Sequence, residues 1–229
     1  MQTEGRIGRL FAFRFDMAVR KNLGAEIYVP HGAALDRLCI AVQECRGCEL
    51  YRHATQAVFG EGRSKARIVL VGEQPGDKEV LAGKPFVGPA GGVLDRGLEA
   101  AQIDRAEVYV TNAVKHFKFE ERGKRRIHKK PSDTEIAACR PWLEAEFAAV
   151  HPEITVCLGA TALQAVLGKE RRVLRDRGQF FDHPTAGSVT TTVHPSAILR
   201  AVDSDQREAD FEAFVKDLKA VRRKLDSMG

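Results

Sequence analysis

The chain has 229 residues, of which 44% are hydrophobic and 29% charged, with a formal net charge of +5. That suits one soluble globular domain with a sizeable core, or at most two small ones. No apolar run approaches the roughly 18 residues a membrane-spanning helix needs; the modest basic bias is compatible with a nucleic-acid partner.

Residues 1–30 carry Arg6, Arg9, Arg14, Arg20 and Lys21, with Phe11, Phe13 and Phe15 between them. The stretch lacks the continuous apolar core and small-residue cleavage site of a signal peptide. It reads as a flexible basic extension of a cytoplasmic protein, with residues 31–229 forming a single domain. Ala34 to Val42 is expected to be a helix with Leu35, Leu38 and Val42 on one face, and it runs into Cys45-Arg46-Gly47-Cys48. Cys39 reads as a core thiol. The β-branched run Arg67 to Val71 fits a buried parallel strand ending in the turn Gly72-Glu73-Gln74-Pro75-Gly76. After the loop Pro85-Phe86-Val87-Gly88-Pro89, a helix is expected over about 92–102. A second strand, Val108 to Thr111, ends at Asn112.

The long connection that follows holds Lys124-Arg125-Arg126-Ile127-His128-Lys129-Lys130, a single imidazole among lysines and arginines. Ser132-x-x-Glu135 is a capping-box signature for a helix whose inner stripe is Ile136, Leu143, Phe147 and Val150. Pro141 inside it removes a backbone donor and predicts a kink just past Cys139. Ile154 to Leu158 is the third strand, Thr161 to Leu167 a helix, and Val189 to Val193 a fourth strand ending at His194-Pro195-Ser196. An amphipathic helix over about 206–225 closes the chain. Strands alternating with helices predict a three-layer α/β/α sandwich around a central, mainly parallel four-stranded sheet.

Three strand ends carry polar residues: Glu73-Gln74, Asn112 and His194. Ligands of open α/β sheets bind at the carboxyl ends of the strands, so these residues are candidates together, although singly His194 reads as a turn histidine and Asn112 as a helix cap. A run of cations is most simply a solvated loop. It also attracts phosphates, and an unprotonated imidazole within it can serve as base, metal ligand or nucleophile. Cys45, Cys48, Cys139 and Cys157 could supply four thiolates to one site. Disulfides are disfavoured in a cytoplasmic protein, which leaves a [4Fe–4S] cluster, structural zinc or unrelated buried thiols, and the wide spacing matches neither the zinc-ribbon nor the compact ferredoxin pattern. Gly83-Lys84-Pro85 is not a P-loop, no G-x-G-x-x-G follows the first strand, and Gly-x-Ser-x-Gly is absent.

Taken together, Gly72-Glu73-Gln74-Pro75-Gly76-Asp77, Pro85-Phe86-Val87-Gly88-Pro89-Ala90-Gly91, Val110-Thr111-Asn112-Ala113-Val114-Lys115 and His194-Pro195-Ser196 resemble the uracil-DNA glycosylase superfamily. The four cysteines resemble its iron–sulfur branch, close to family 4, and so imply a [4Fe–4S] cluster of mainly structural role. The Glu73-Gln74 pair and Lys124-Arg125-Arg126-Ile127-His128 resemble the UdgX branch, which excises uracil and stays covalently joined to the DNA. The resemblance spans about residues 45–200. It implies that Phe86 stacks on the base, Asn112 reads its O4 and N3–H edge, and His194 donates to O2 of the leaving uracil. It also implies that His128 captures C1′ of the sugar while Glu73 holds its imidazole. Gln74 and Asp77 would fix the loop, Ser196 would belong to the base site, and Lys124, Arg125, Arg126, Lys129 and Lys130 would bind DNA. Ile198 and Leu199 are candidates both for a wedge into the vacated stack and for core. The implied partner is uracil-containing DNA, single-stranded by preference, bound by a monomer.

Overall fold

A computed structural model describes residues 24–229; residues 1–23, most of the expected basic extension, lie outside the described residues. The sheet is built from strands β1 (Ile68–Gly72), β2 (Val108–Asn112), β5 (Ile154–Leu158), β6 (Phe181–His183) and β7 (Gly187–Thr192), in the order β2-β1-β5-β7-β6. All pairs are parallel except β6 with β7. The expected four strands are therefore five. The missed β6 is a three-residue edge strand that is only partly buried, too short to show the period of two that marks a strand in sequence.

All five residues of β1 are buried, and successive side chains of an extended chain leave on opposite faces. Ile68 and Leu70 join Val108, Val110, Phe214 and Leu218 on one side of the sheet. Val69 and Val71 join Trp142, Phe147 and Leu163 on the other. Helices α1 (Leu35–Ala41), α4 (Asp133–Val150) and α5 (Ala160–Leu167) cover the second face. Helices α3 (Pro89–Ala100), α7 (Pro195–Leu199) and α8 (Ser204–Asp226) cover the first, and the short α2 (Asp77–Ala82) and α6 (Val173–Asp176) lie at the ends of loops. The domain is a three-layer α/β/α sandwich. No helix among the described residues is long and apolar enough to cross a membrane.

The capping box forms as expected: Ser132 Oγ accepts the Glu135 N–H at 3.3 Å, and Glu135 Oε2 accepts the Ser132 N–H at 2.6 Å. All four residues of the expected stripe are buried. Pro141 sits inside α4 without ending it. Close by, the Ala138 carbonyl accepts the Ala25 N–H at 2.8 Å, and Ala25 is buried. Residues 24–30, assigned from the sequence to the extension, are thus attached to the domain. Cys39 is exposed rather than core, because α1 turns Leu38 and Val42 inward and the residue after Leu38 lies about 100° around the helix.

A further departure matters most for the site. The connection after β2 is a β-hairpin, β3 (Phe119–Arg122) with β4 (Arg125–His128), in which Phe119 pairs with His128. Its two-residue turn places Gly123 at φ +60° in the first central position, the backbone a tight hairpin demands. The basic run is therefore ordered as a strand and its turn. Charged side chains with little apolar alternation hid it from sequence reading.

Candidate active site

The carboxyl ends of β1, β5 and β7 open on a cavity of about 1000 Å³, lined by Glu73, Gln74 and Asp77 after β1, Gly159 after β5, His194 and Ser196 after β7, and His128 from the hairpin. The alternation of strand and helix brings these turns to one edge, as expected for a parallel sheet. Phe86 and Asn112 adjoin that cavity rather than line it. Phe86 lies beside His194, their ring centroids 6.0 Å apart and nearly parallel. Asn112 is paired with Gly72 across the sheet.

Gly72 explains how Phe86 and Asn112 come so close at the end of β1. A Cβ there would come within 2.3 Å of Asn112 Oδ1 and 2.7 Å of Phe86 Cζ, so only glycine lets ring and amide pack together over the strand end. Asn112 is 3% exposed; its side-chain amide makes no hydrogen bond to the described residues, yet it is not a fully buried orphan, so it is open to a polar partner at the cavity edge. Phe86 itself has φ +56°, a left-handed conformation unusual for an aromatic residue. Its loop is held by Glu79, whose carboxylate accepts the N–H groups of both Gly76 and Gly88. Sequence reading missed Glu79, although its position three residues after Gly76 in the first turn of α2 is a capping position.

His194 caps α7. Its Nδ1 accepts the Ser196 N–H at 3.1 Å and lies 2.8 Å from Ser196 Oγ. An accepting Nδ1 leaves the proton of the neutral ring on Nε2, which is then the donor available to the cavity. Burial holds the imidazole down at about 4, against a smaller upward pull from Glu73, so the ring is neutral at pH 7.

Glu73 faces His128 across the cavity, with His128 Nε2 3.2 Å from Glu73 Oε1. The other carboxylate oxygen accepts from the hydroxyl of Thr161, which is buried in the first turn of α5. Burial alone would raise the Glu73 carboxyl, but the hydrogen bonds from His128 and Thr161 outweigh it and hold the group below its ordinary value. Thr161 escaped sequence reading; its place just after the β5 turn at the same sheet edge is the signal that could have found it.

Gln74 does not face the cavity alone. Its Nε2 donates to the carbonyls of Lys118 and Lys129, and its Oε1 accepts the Lys118 N–H. One buried side chain thus ties both legs of the hairpin to the end of β1, one residue from Glu73. Arg126 is bonded to Asp77 at 2.5 Å and lies over the Phe119 ring. Lys129 pairs with Glu120 at 2.6 Å. Lys124, Arg125 and Lys130 are exposed and, among the described residues, form no ion pair. Ile198 is core, whereas Leu199 is partly exposed at the cavity wall.

On the opposite side of the sheet the four cysteines are all free thiols within or against one apolar cluster. Trp142 Nε1–H points at Cys45 Sγ at 3.2 Å, and the Lys115 N–H at Cys139 Sγ at 3.3 Å. Burial pushes Cys48 up to about 11 and Cys139 up to about 12, each raised further by the nearby cysteines, while Cys157 is raised by burial alone. The described residues contain no group of three or more His, Cys, Asp or Glu set to hold a single metal ion. Four reduced thiols, two of them receiving N–H donors, are nevertheless a donor set suited to an iron–sulfur cluster.

Residues 59–219 match the uracil DNA glycosylase superfamily. The chain is 37% identical over 176 residues to the type-4 uracil-DNA glycosylase of Thermotoga maritima, covering 76% of this chain and 88% of that one. It is 35% identical over 173 residues to the type-4 enzyme of Saccharolobus solfataricus, covering 72% and 77%. With the type-4 enzyme of Archaeoglobus fulgidus the identity is 33% over 187 residues, covering 78% and 90%. A match over that span, together with relatives 33–37% identical over more than two thirds of the chain, means that this chain belongs to the uracil DNA glycosylase superfamily.

Proposed function

We propose that the protein is a uracil-DNA glycosylase that cleaves the glycosidic bond of deoxyuridine and is then captured on the DNA through His128. The observation that carries the second half is the 3.2 Å approach of His128 Nε2 to Glu73 at the mouth of the base site. Family membership and the type-4 relatives support the first half.

A uracil displaced from the strand enters the cavity at the strand ends, stacks on Phe86 and satisfies the Asn112 amide through O4 and N3–H. The amino group of cytosine would leave that amide mispaired, a penalty that discriminates strongly in a buried site. As the N1–C1′ bond breaks, its electron pair departs with uracil, and His194 Nε2–H donates to O2, where negative charge grows. The sugar becomes oxocarbenium-like. The ring nitrogen of His128 not engaged by Glu73 gives its lone pair to C1′, and the proton on the other nitrogen is shared with the Glu73 carboxylate, offsetting the positive charge on the ring. Water is the competing nucleophile, and its capture of the sugar would yield an ordinary turnover enzyme.

Cys45, Cys48, Cys139 and Cys157 would hold a [4Fe–4S] cluster, which when bound supplies a rigid link among the segment after α1, helix α4 and strand β5. Single-stranded DNA is the favoured substrate because its bases need no unpairing before they enter a pocket.

A denaturing gel after incubation with uracil-containing single-stranded DNA tests the capture. A DNA-linked band that survives boiling in detergent, lost in His128→Ala, is expected. Free protein with abasic product in excess of enzyme would reduce the proposal to a turnover glycosylase. Protein purified without oxygen should contain iron and sulfide in equal amounts; a colourless zinc protein would overturn the cofactor.

A further inference from the structure

Behind the base site lies a charged cluster that the chemistry above does not use. Lys115 and Glu146 are both fully buried, with Lys115 Nζ 2.5 Å from Glu146 Oε2. The ammonium has three protons and finds three acceptors: that carboxylate, Thr111 Oγ1 at 2.7 Å and the main-chain carbonyl of Asn112 at 2.9 Å. Glu146 Oε1 in turn accepts from the Tyr109 hydroxyl, the Thr111 hydroxyl and the Gly60 N–H. Burial, together with the Glu146 carboxylate, keeps the Tyr109 phenol protonated and hence a donor.

Where β2 ends, the sheet ladder no longer supplies a partner for the Asn112 carbonyl, and a buried carbonyl without one is costly. Lys115 supplies it. The next N–H, that of Ala113, donates to the Gly72 carbonyl at 2.9 Å. The peptide that carries the Asn112 side chain is therefore gripped at its oxygen by an ammonium and at its nitrogen by the neighbouring strand. Hydrogen bonds from a charged donor are shorter and about twice as strong as neutral ones. A grip of this kind suits a backbone that must not rotate, and a burial cost as large as that of an ion pair asks for a function beyond stability.

We infer that Lys115, held by Glu146, is a positioning residue for uracil recognition: it fixes the Asn112 peptide so that the amide meets the O4 and N3–H edge in one orientation. This rests on the reading of Asn112 as the base-recognising residue. The effect belongs to the chemical step and to base choice, because neither Lys115 nor Glu146 reaches the DNA. Positioning errors of about 1 Å can cost two orders of magnitude in rate.

The test uses Lys115→Met with Glu146→Leu in the full chain, since a buried ion pair exchanged for apolar residues of similar volume is often tolerated. Measured with enzyme in excess over uracil-containing single-stranded DNA, the saturated rate of uracil release should fall at least tenfold, with the DNA concentration for half-saturation changed less than threefold. A native circular-dichroism spectrum with a rate within twofold of the parent overturns the inference. Should the double variant not fold, Glu146→Gln removes the counter-charge while leaving the hydroxyl partners of that side chain. It should slow release at least threefold, and an unchanged rate again overturns the inference. Asn112→Ala separates this from the underlying reading. If Asn112→Ala releases uracil at the parent rate, the base-recognition reading fails; if it is inactive while the Lys115 variants are unimpaired, only the positioning role fails.

Discussion

His128 and Glu73 meet because Gln74 brings them together. Gln74 follows Glu73 at the end of β1 and hydrogen-bonds the backbone of Lys118 and Lys129, and Lys129 follows His128. The distance from the His128 imidazole to the Glu73 carboxylate is thus set by one amide side chain bridging a rigid strand and a two-stranded hairpin, which alone would be marginally stable. Arg126 ties the hairpin down as well, through its 2.5 Å pair with Asp77 and a 3.3 Å hydrogen bond to Thr55 Oγ1.

Gln74→Ala should therefore shift the outcome of the reaction rather than abolish it. Removing three hydrogen bonds from a buried side chain costs about 2 kcal/mol, mostly as local freedom of the hairpin. His128 then reaches the sugar less often and water more often. The fraction of cleaved DNA recovered as covalent adduct should fall at least fivefold, while total uracil release falls less than threefold. Quantifying adduct and abasic product from the same gel checks this, and a parallel loss of both would show that Gln74 serves excision itself.

Gly72→Ala probes the close packing of Phe86 and Asn112. The added methyl would meet Asn112 Oδ1 and Phe86 Cζ at 2.3 and 2.7 Å, distances that force one of them aside. Overpacking of this sort costs about 1–3 kcal/mol, here paid within the base site. Uracil release should drop at least tenfold with little change in affinity for undamaged single-stranded DNA, as measured by single-turnover kinetics and fluorescence anisotropy.

The polar strand ends were legible in the sequence because a parallel sheet places all its carboxyl ends at one edge; Glu73, Asn112 and His194 needed only the rule for open α/β folds. The apolar runs that bury β1, β2, β5 and β7 on both faces were legible for the same reason. What escaped depended on pairing across the chain. The hairpin that presents His128 has exposed charged strands, so its order comes from Gln74 and from the Phe119–His128 register rather than from hydrophobic periodicity. Thr161 and Glu146 act through partners 88 and 31 or more residues away. Cys39, one residue beyond a buried leucine, shows how a small error of helical phase moves a thiol from core to surface.

Acid should weaken the fold in a defined window. Burial lowers His116 to about 4, against 6.5 in an open chain, and lowers His194 likewise. Between those values the unfolded chain binds protons that the folded one does not, so stability falls as pH drops from about 6.5 towards 4 and is unaffected by these groups above 6.5. Fully expressed, the His116 contribution is on the order of 3 kcal/mol; His194, facing cavity water, adds less with the same sign. Glu73, held below its ordinary value, contributes stability above that value that is lost as pH falls through its lowered one. Urea midpoints at pH 7.5, 5.5 and 4.5 should decline steadily, and His116→Gln should flatten the decline.

Glu73→Gln keeps the shape of the side chain and removes its charge. In the proposed capture, the imidazole of His128 then lacks the carboxylate that would offset positive charge as it bonds C1′, and general acid–base partners of this kind are worth about 10²–10⁴ in rate. Adduct formation should slow at least 100-fold. Thr161→Val, which removes only the hydroxyl supporting the carboxylate, should slow it about tenfold or less, and time courses of the detergent-resistant band rank the two.

The cations of the hairpin divide into two groups, and salt dependence should separate them. Arg126 and Lys129 are already paired with Asp77 and Glu120, so DNA gains little net charge neutralisation from them. Lys124, Arg125 and Lys130 are exposed, with no ion pair among the described residues, and can each neutralise a phosphate. For single-stranded DNA each phosphate neutralised steepens the slope of log affinity against log salt by about 0.7. Replacing all three with serine should therefore flatten that slope by about 2, whereas Arg126→Ser with Lys129→Ser should change it by less than about 0.7. The second pair should instead lower the adduct yield, because Arg126 anchors the hairpin to Asp77. Equal slope changes in the two variants would mean that the ion pairs open on DNA and that the whole run, not its free half, follows the backbone.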